Sequence, residues 1–232
     1  METSGAAGAD SSLGALPREG SRRHRRTQEA RRSATIAKLT DAAIEALVEL
    51  GYAKASTNEI CQRAGVSQGA LFRHFASRGD FMAHVADEVL SRLVDNFESR
   101  YFNDEQPPGD PIERAVRFTR EACHSRIAKA WYELVMASRT DESLQDKMSA
   151  VFRQSRQWIR EAALEVFPDM GDAPQRFHAL VDAVVMIFDM ESLYAHLDRD
   201  EAAAERRLAF AIRCYRQFFL DIEAERRSPG ER

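Results

Sequence analysis

With 232 residues, a formal net charge of −4 and 44% hydrophobic against 30% charged residues, the chain is long enough for a core that needs no disulfide or metal support. Its 11 Gly and 7 Pro are few for a strand-rich protein, and Cys61, Cys123 and Cys214 match no zinc or redox spacing. No apolar run approaches the roughly 18 residues of a membrane helix, and the polar N-terminus lacks an apolar secretory core, so a cytoplasmic protein without cofactor or metal is expected.

Charge is segregated along the chain. From Arg18 to Lys38, seven Arg and one Lys stand against Glu19 and Glu29, a local charge of +6 that leaves −10 on the remainder. A basic segment on an acidic body suggests one end suited to phosphates, since Lys and Arg gain affinity by releasing condensed counterions. A solvated tail is the alternative. Residues 1–31 lack a sustained apolar period and read as a flexible Arg-rich arm, which either threads a minor groove or stays loose.

The first helix is expected from about Ser33 to Leu50, where Ile36, Leu39, Ala43, Ile44 and Leu47 recur at three- and four-residue steps before the Gly51 stop. A second opens at Ser56, with Glu59 placed to complete a capping box, and ends at Ala64. After Gly65 a short third helix runs from the Ser67 cap to Phe75. Ile60, Ala64, Val66, Leu71, Phe72 and Phe75 are available to pack these helices, leaving Asn58, Gln62, Gln68, Gly69 and Arg73 outside, which is the arithmetic of a helix-turn-helix. A long amphipathic helix from Arg78 to Phe102 then leads, after a loop over 103–109, to the Asp110 cap and Pro111 start of the next. Apolar helical stretches follow over 111–138, 142–167, 173–197 and 199–222. No strand pattern emerges, and the fold class is all-α.

The run Ser56-Thr57-Asn58-Glu59-Ile60-Cys61-Gln62-Arg63-Ala64-Gly65-Val66-Ser67-Gln68-Gly69-Ala70-Leu71-Phe72-Arg73-His74-Phe75-Ala76-Ser77-Arg78 resembles the N-terminal signature of TetR-family repressors. The resemblance covers about Ile36 to Val85. It implies a DNA-binding domain over 32–80, a helical ligand-binding and dimerisation domain over 81–223 and a disordered tail over 224–232. The 67–75 helix is short enough to enter a major groove about 12 Å wide. There Gln68 can pair bidentately with adenine, Gly69 and Ala70 permit close backbone approach, and Arg73 can reach guanine or phosphate. The resemblance places Ser56, Thr57, Ser67, His74 and Arg78 mainly on phosphates, which set orientation; a half-buried structural histidine is the alternative for His74. Phe72 departs from the family's usual tyrosine and suits either a thymine methyl or the core. Arg78 replaces the common lysine, and Cys61 stands where the family usually has alanine.

The resemblance further implies a homodimer on palindromic double-stranded operator DNA, released by a small, largely apolar effector, with corepression left open. A pool for the effector pocket is His124, Trp131, Tyr132, Met136, Arg139, Phe152, Trp158, Met186, Met190 and Tyr194, for most of which ordinary core is the alternative. Leu180, Val184, Phe188, Leu208, Ile212, Tyr215 and Phe219 are candidates for the dimer interface. The helix over 78–102 is the natural lever between ligand and DNA. Two rivals are a ligand-independent dimeric DNA-binding protein and a helical enzyme. Against the latter, there is no nucleophile elbow, phosphate-cradling glycine loop or helical His pair, and Asp182, Asp189 and Glu191 read as helix-terminal or solvated carboxylates.

Overall fold

The computed structural model describes residues 19–102 and 109–227, with side chains described over 28–101 and 109–225. Among the described residues are nine α-helices, one 3-10 turn and no strand. Helix α1 (Glu19–Leu50) begins well before the expected Ser33. Residues 19–32 hold six Arg and two Glu, so helix propensity continues where apolar contacts stop, and the chain is exposed from Gln28 to Ala34. Residues 1–18 of the expected arm lie outside the described residues.

Two caps build the helix-turn-helix. Ser56 accepts from the Glu59 N–H at 3.1 Å to start α2 (Thr57–Ala64), and Ser67 accepts from the Ala70 N–H at 3.2 Å to start α3 (Gln68–His74). Only half of the expected capping box forms, because the Ser56 N–H already donates to the Lys54 carbonyl at 2.8 Å while Glu59 pairs with Arg63 at 2.7 Å. Gly65 makes the turn at φ 64°, in the left-handed region that glycine enters without a Cβ penalty. Ile60, Cys61 and Leu71 face inward, whereas Phe72 is 45% exposed, so it is not part of the packing expected of it. With Leu71 seated in the core, the next residue around a seven-residue helix must point elsewhere.

Helix α4 (Arg78–Phe102) carries Phe81, Met82, Val85 and Val89 into a first core shared with α1, α2, α3 and the helices α6 (Ala128–Ala137) and α7 (Glu142–Val166). Each fully buried Leu, Met or Phe here contributes about 1.5–3 kcal/mol. The 80/81 division therefore falls inside α4, and one core extends across it. A second core joins α5 (Pro111–Cys123), a 3-10 turn (Pro168–Asp172), α8 (Pro174–Tyr194) and α9 (Glu201–Arg227).

The single helix expected over 111–138 is two. Ser125 Oγ donates to the Ala122 carbonyl at 2.7 Å and accepts from the Ala128 N–H at 3.3 Å, ending one helix and starting the next. Helix α9 runs past the expected end at 222, so residues 224–227 of the expected tail are helical and 228–232 lie outside the described residues.

Candidate functional site

The outward face of α3 presents Gln68, Gly69, Phe72 and Arg73, all exposed, with Ala70 half-buried between them. Gln68 Nε2 donates weakly to Asn58 Oδ1 at 3.4 Å, a long contact that a base edge can replace. A Cβ built on Gly69 would meet only Ser67 Oγ at 4.0 Å, so nothing within the protein demands glycine there. Ser56 and Ser67 are exposed at the helix starts, and Thr57 and His74 are half-buried. Arg63 is tied to Glu49 and Glu59, both at 2.7 Å.

Arg78 is placed differently from the others. Its Nη2 donates to the carbonyls of Tyr52 at 3.1 Å and Ala55 at 3.3 Å, and the guanidinium lies 4.0 Å from the centre of the Tyr52 ring. The expected phosphate ligand thus holds the loop between α1 and α2. Tyr52 continues the connection, its N–H donating to Glu133 of α6 at 2.8 Å and its hydroxyl to Asp141 at the start of α7 at 2.9 Å. Beside it, Lys147 pairs with Asp80 at 2.9 Å, and a Cβ on Gly79 would stand 3.2 Å from the Ser143 carbonyl, so α4 and α7 nearly touch.

A cavity of about 140 Å³ lies between α4, α5, α6, α7 and α8. Three expected residues line it, Trp131, Tyr132 and Phe152, with the Trp131 and Phe152 rings nearly parallel at 6.4 Å. Leu93, Phe97, Ile159, Phe167, Val185 and Tyr215 are among the larger residues that extend the apolar wall. The other seven lie elsewhere. Met136, Met186, Met190 and Tyr194 are exposed on outer helix faces, Arg139 is exposed in the turn after α6, and Trp158 borders a separate acidic groove with Asp95, Glu98, Glu161 and Glu165. His124 contacts Glu191 at 3.0 Å outside the cavity.

Polar groups that sequence reasoning missed also reach this wall. Tyr132 Oη lies 2.9 Å from both the Cys123 carbonyl and Asp189 Oδ1. One hydroxyl proton fully serves only one of them at a time, and burial raises the Asp189 pKa against the pull of Tyr132, Cys123 and Arg156. Burial also pushes the Cys123 thiol and the Tyr132 hydroxyl up, so both stay protonated at neutral pH. Arg156 is the cation on the wall.

The expected dimer residues point inward instead. Val184, Phe188, Leu208, Ile212 and Tyr215 are buried in the second core, with Leu180 and Phe219 packed against it. What α8 and α9 expose is a different apolar set, Met186, Met190 and Tyr194 with Phe210 and Leu220. Glu191, read as solvated, is buried and accepts from Arg120 at 2.6 Å and Arg207 at 2.7 Å. No group of three or more His, Cys, Asp or Glu among the described residues is arranged to hold a metal, and no described helix is long and apolar enough to cross a membrane.

Residues 39–85, the segment that forms this helix-turn-helix, match the family model described as bacterial regulatory proteins, tetR family. An uncharacterized HTH-type transcriptional regulator of Mycobacterium tuberculosis is 39% identical over 166 residues, covering 71% of this chain and 84% of that protein. The chain belongs to the TetR family. Solved structures share the fold: a transcriptional regulator from Rhodococcus sp. Rha1 superposes with a TM-score of 0.56 at 24% identity over 76% of this chain and 93% of that one. The multidrug binding protein EbrR complexed with imidazole gives 0.54 at 22% identity, over 76% and 93%. Fold and relatives are those of transcriptional regulators, not enzymes.

Proposed function

We propose that this TetR-family regulator is a cytoplasmic, homodimeric repressor that reads a palindromic operator with α3 and leaves it when a small, largely apolar effector fills the cavity between α4 and α8. Residues 32–80 serve DNA and residues 81–223 serve effector and dimer contacts. One observation carries the link between the two sites: Tyr132, in the cavity wall, and Glu133, bonded to the Tyr52 N–H, are consecutive residues of α6. An effector that moves this turn of α6 moves the loop bonded to Glu133 and, through Arg78, the start of α4. Release follows only if the effector binds the displaced arrangement better than the DNA-bound one.

Gln68 is the residue assigned to base reading, with Gly69, Ala70, Phe72 and Arg73 at the same surface; Ser56, Thr57, Ser67 and His74 are left for phosphates. Fluorescence anisotropy on DNA from upstream of the gene, with scrambled competitor, tests the reading. Competitor-resistant binding of two protomers per palindrome is expected. Gln68→Ala should weaken that binding by about 1–3 kcal/mol and relax preference at one position per half-site. Equal loss on operator and scrambled DNA removes Gln68 from base reading.

The exposed stripes on α8 and α9 supply the dimer surface, since buried Val184 or Ile212 cannot meet a second chain. Combining Met186→Glu with Phe210→Glu is expected to give a folded monomer by analytical ultracentrifugation, with operator affinity reduced to that of one half-site. A variant that remains dimeric at micromolar concentration places the interface elsewhere.

A further inference from the structure

Arg156 belongs to the cavity wall, only 9% of the residue is exposed, and its Nη1 is fully buried with no hydrogen-bond partner among the described residues. Its Nη1 stands 3.6 Å from Asp182 Oδ1, beyond hydrogen-bond range, and its Cζ is 5.0 Å from the Phe152 ring centre. Asp182 is held instead by Arg160, which pairs with both of its carboxylate oxygens, so two guanidiniums share one carboxylate. The other carboxyl near the cavity, Asp189, is occupied by Tyr132. A buried guanidinium N–H without an acceptor is costly, and such groups persist in native proteins where a ligand, ion or water completes them.

The cavity's size limits what that ligand is. A volume of about 140 Å³ is close to that of an engineered apolar cavity of ~150 Å³ that admits benzene, so one six-membered ring is the apolar body it takes. The parallel Trp131 and Phe152 rings offer that body flat walls.

We infer that the cavity binds a single-ring aromatic carboxylate, with its ring against Trp131 and Phe152 and its carboxylate on Arg156. This deepens the effector reading above and rests on it for the consequence at DNA. A planar carboxylate matches the guanidinium fork, gives Arg156 the acceptors it lacks, and leaves no charge of the ligand unpaired.

Titration calorimetry of the full chain with benzoate, benzyl alcohol, benzylamine and acetate tests it. Benzoate is expected to bind, the neutral and cationic rings and ringless acetate to bind at least ~10-fold more weakly, and Arg156→Gln to weaken benzoate by ~10- to 100-fold while Arg156→Lys recovers part of the loss. Equal or tighter binding of benzyl alcohol, benzylamine or acetate, or no binding by any ring compound, overturns the inference. So does benzoate affinity unchanged in Arg156→Gln. Should that variant fail to fold, the comparison of the four probes on the natural chain still decides. Operator anisotropy with saturating probe separates the two levels. Benzoate that binds through Arg156 without moving operator affinity upholds the site and removes effector-controlled release; release by a neutral ring that outcompetes benzoate does the reverse.

Discussion

Glu191→Ala is expected to cost about 3–5 kcal/mol of unfolding free energy, near the lower end, and to lower the melting temperature by roughly 6–20 °C. The carboxylate is buried where α5, α8 and α9 meet, and it accepts from Arg120 and Arg207 on two of these helices and contacts His124 just beyond α5. Removing it leaves two guanidiniums facing each other without their shared anion. The cost stays near the lower end because Arg120 also reaches Glu205 at 2.9 Å and Arg207 reaches Asp198 at 3.5 Å, both toward solvent. Thermal denaturation followed by circular dichroism reads the change; a loss below about 1 kcal/mol shows that these outer partners suffice.

The same cluster shapes stability against pH. Burial is the largest influence on His124 and holds its imidazole below the usual histidine range despite Glu191. Between that lowered value and about 6.5 the unfolded chain takes a proton the folded one refuses, so stability falls as pH drops through this window. For Glu191 burial pushes the pKa up, but the hydrogen bonds and charges of Arg207 and Arg120 outweigh it and hold the carboxyl low. Its contribution is present above about 4.3 and is lost as pH falls toward its folded value. Asp189 has the opposite sign, since its raised carboxyl takes up a proton first in the folded chain and so offsets part of the acid loss. Denaturant midpoints should accordingly show two descending limbs, with His124→Gln removing the upper and Glu191→Gln reducing the lower, to which the lowered carboxyls of Asp80, Asp110 and Asp141 also contribute.

What was legible in the sequence followed local chemistry. Ser56, Gly65 and Ser67 mark helix ends through their own side chains or lack of one, so the helix-turn-helix and the outward Gln68 could be read directly. The break at Ser125 uses equally local bonds, but a serine inside an apolar period looks the same whether it caps or simply faces solvent. Helix α8 defeated the reading for another reason: it is apolar on two faces, so periodicity alone could not say that Val184 and Phe188 face inward while Met186 and Met190 face outward. Buried charge was the least visible. Glu191 looks like a surface residue until the helices bearing Arg120 and Arg207 are brought against it, and Arg156 until the helices close the cavity around it.

Arg78→Ala distinguishes a residue that grips DNA from one that shapes the protein that grips it. Its two charge-assisted bonds to the Tyr52 and Ala55 carbonyls and its position over the Tyr52 ring are worth about 2–4 kcal/mol together, a fall of roughly 4–16 °C in melting temperature. A phosphate ligand at this position would instead leave stability nearly intact and reduce the slope of log affinity against log salt by about 1. The pinning role predicts a steep stability loss with the salt slope unchanged, because no counterion release is removed. Arg78→Lys keeps the charge but cannot span two carbonyls and stack on Tyr52, so it should behave more like the alanine variant in melting than in DNA binding. Since the loop that Arg78 holds is also the one Glu133 and Asp141 reach from α6 and α7, both substitutions should weaken the effect of any effector on operator affinity. A stable Arg78→Ala protein with a reduced salt slope would return this side chain to the phosphates and leave Tyr52 alone to tie the loop to α6 and α7.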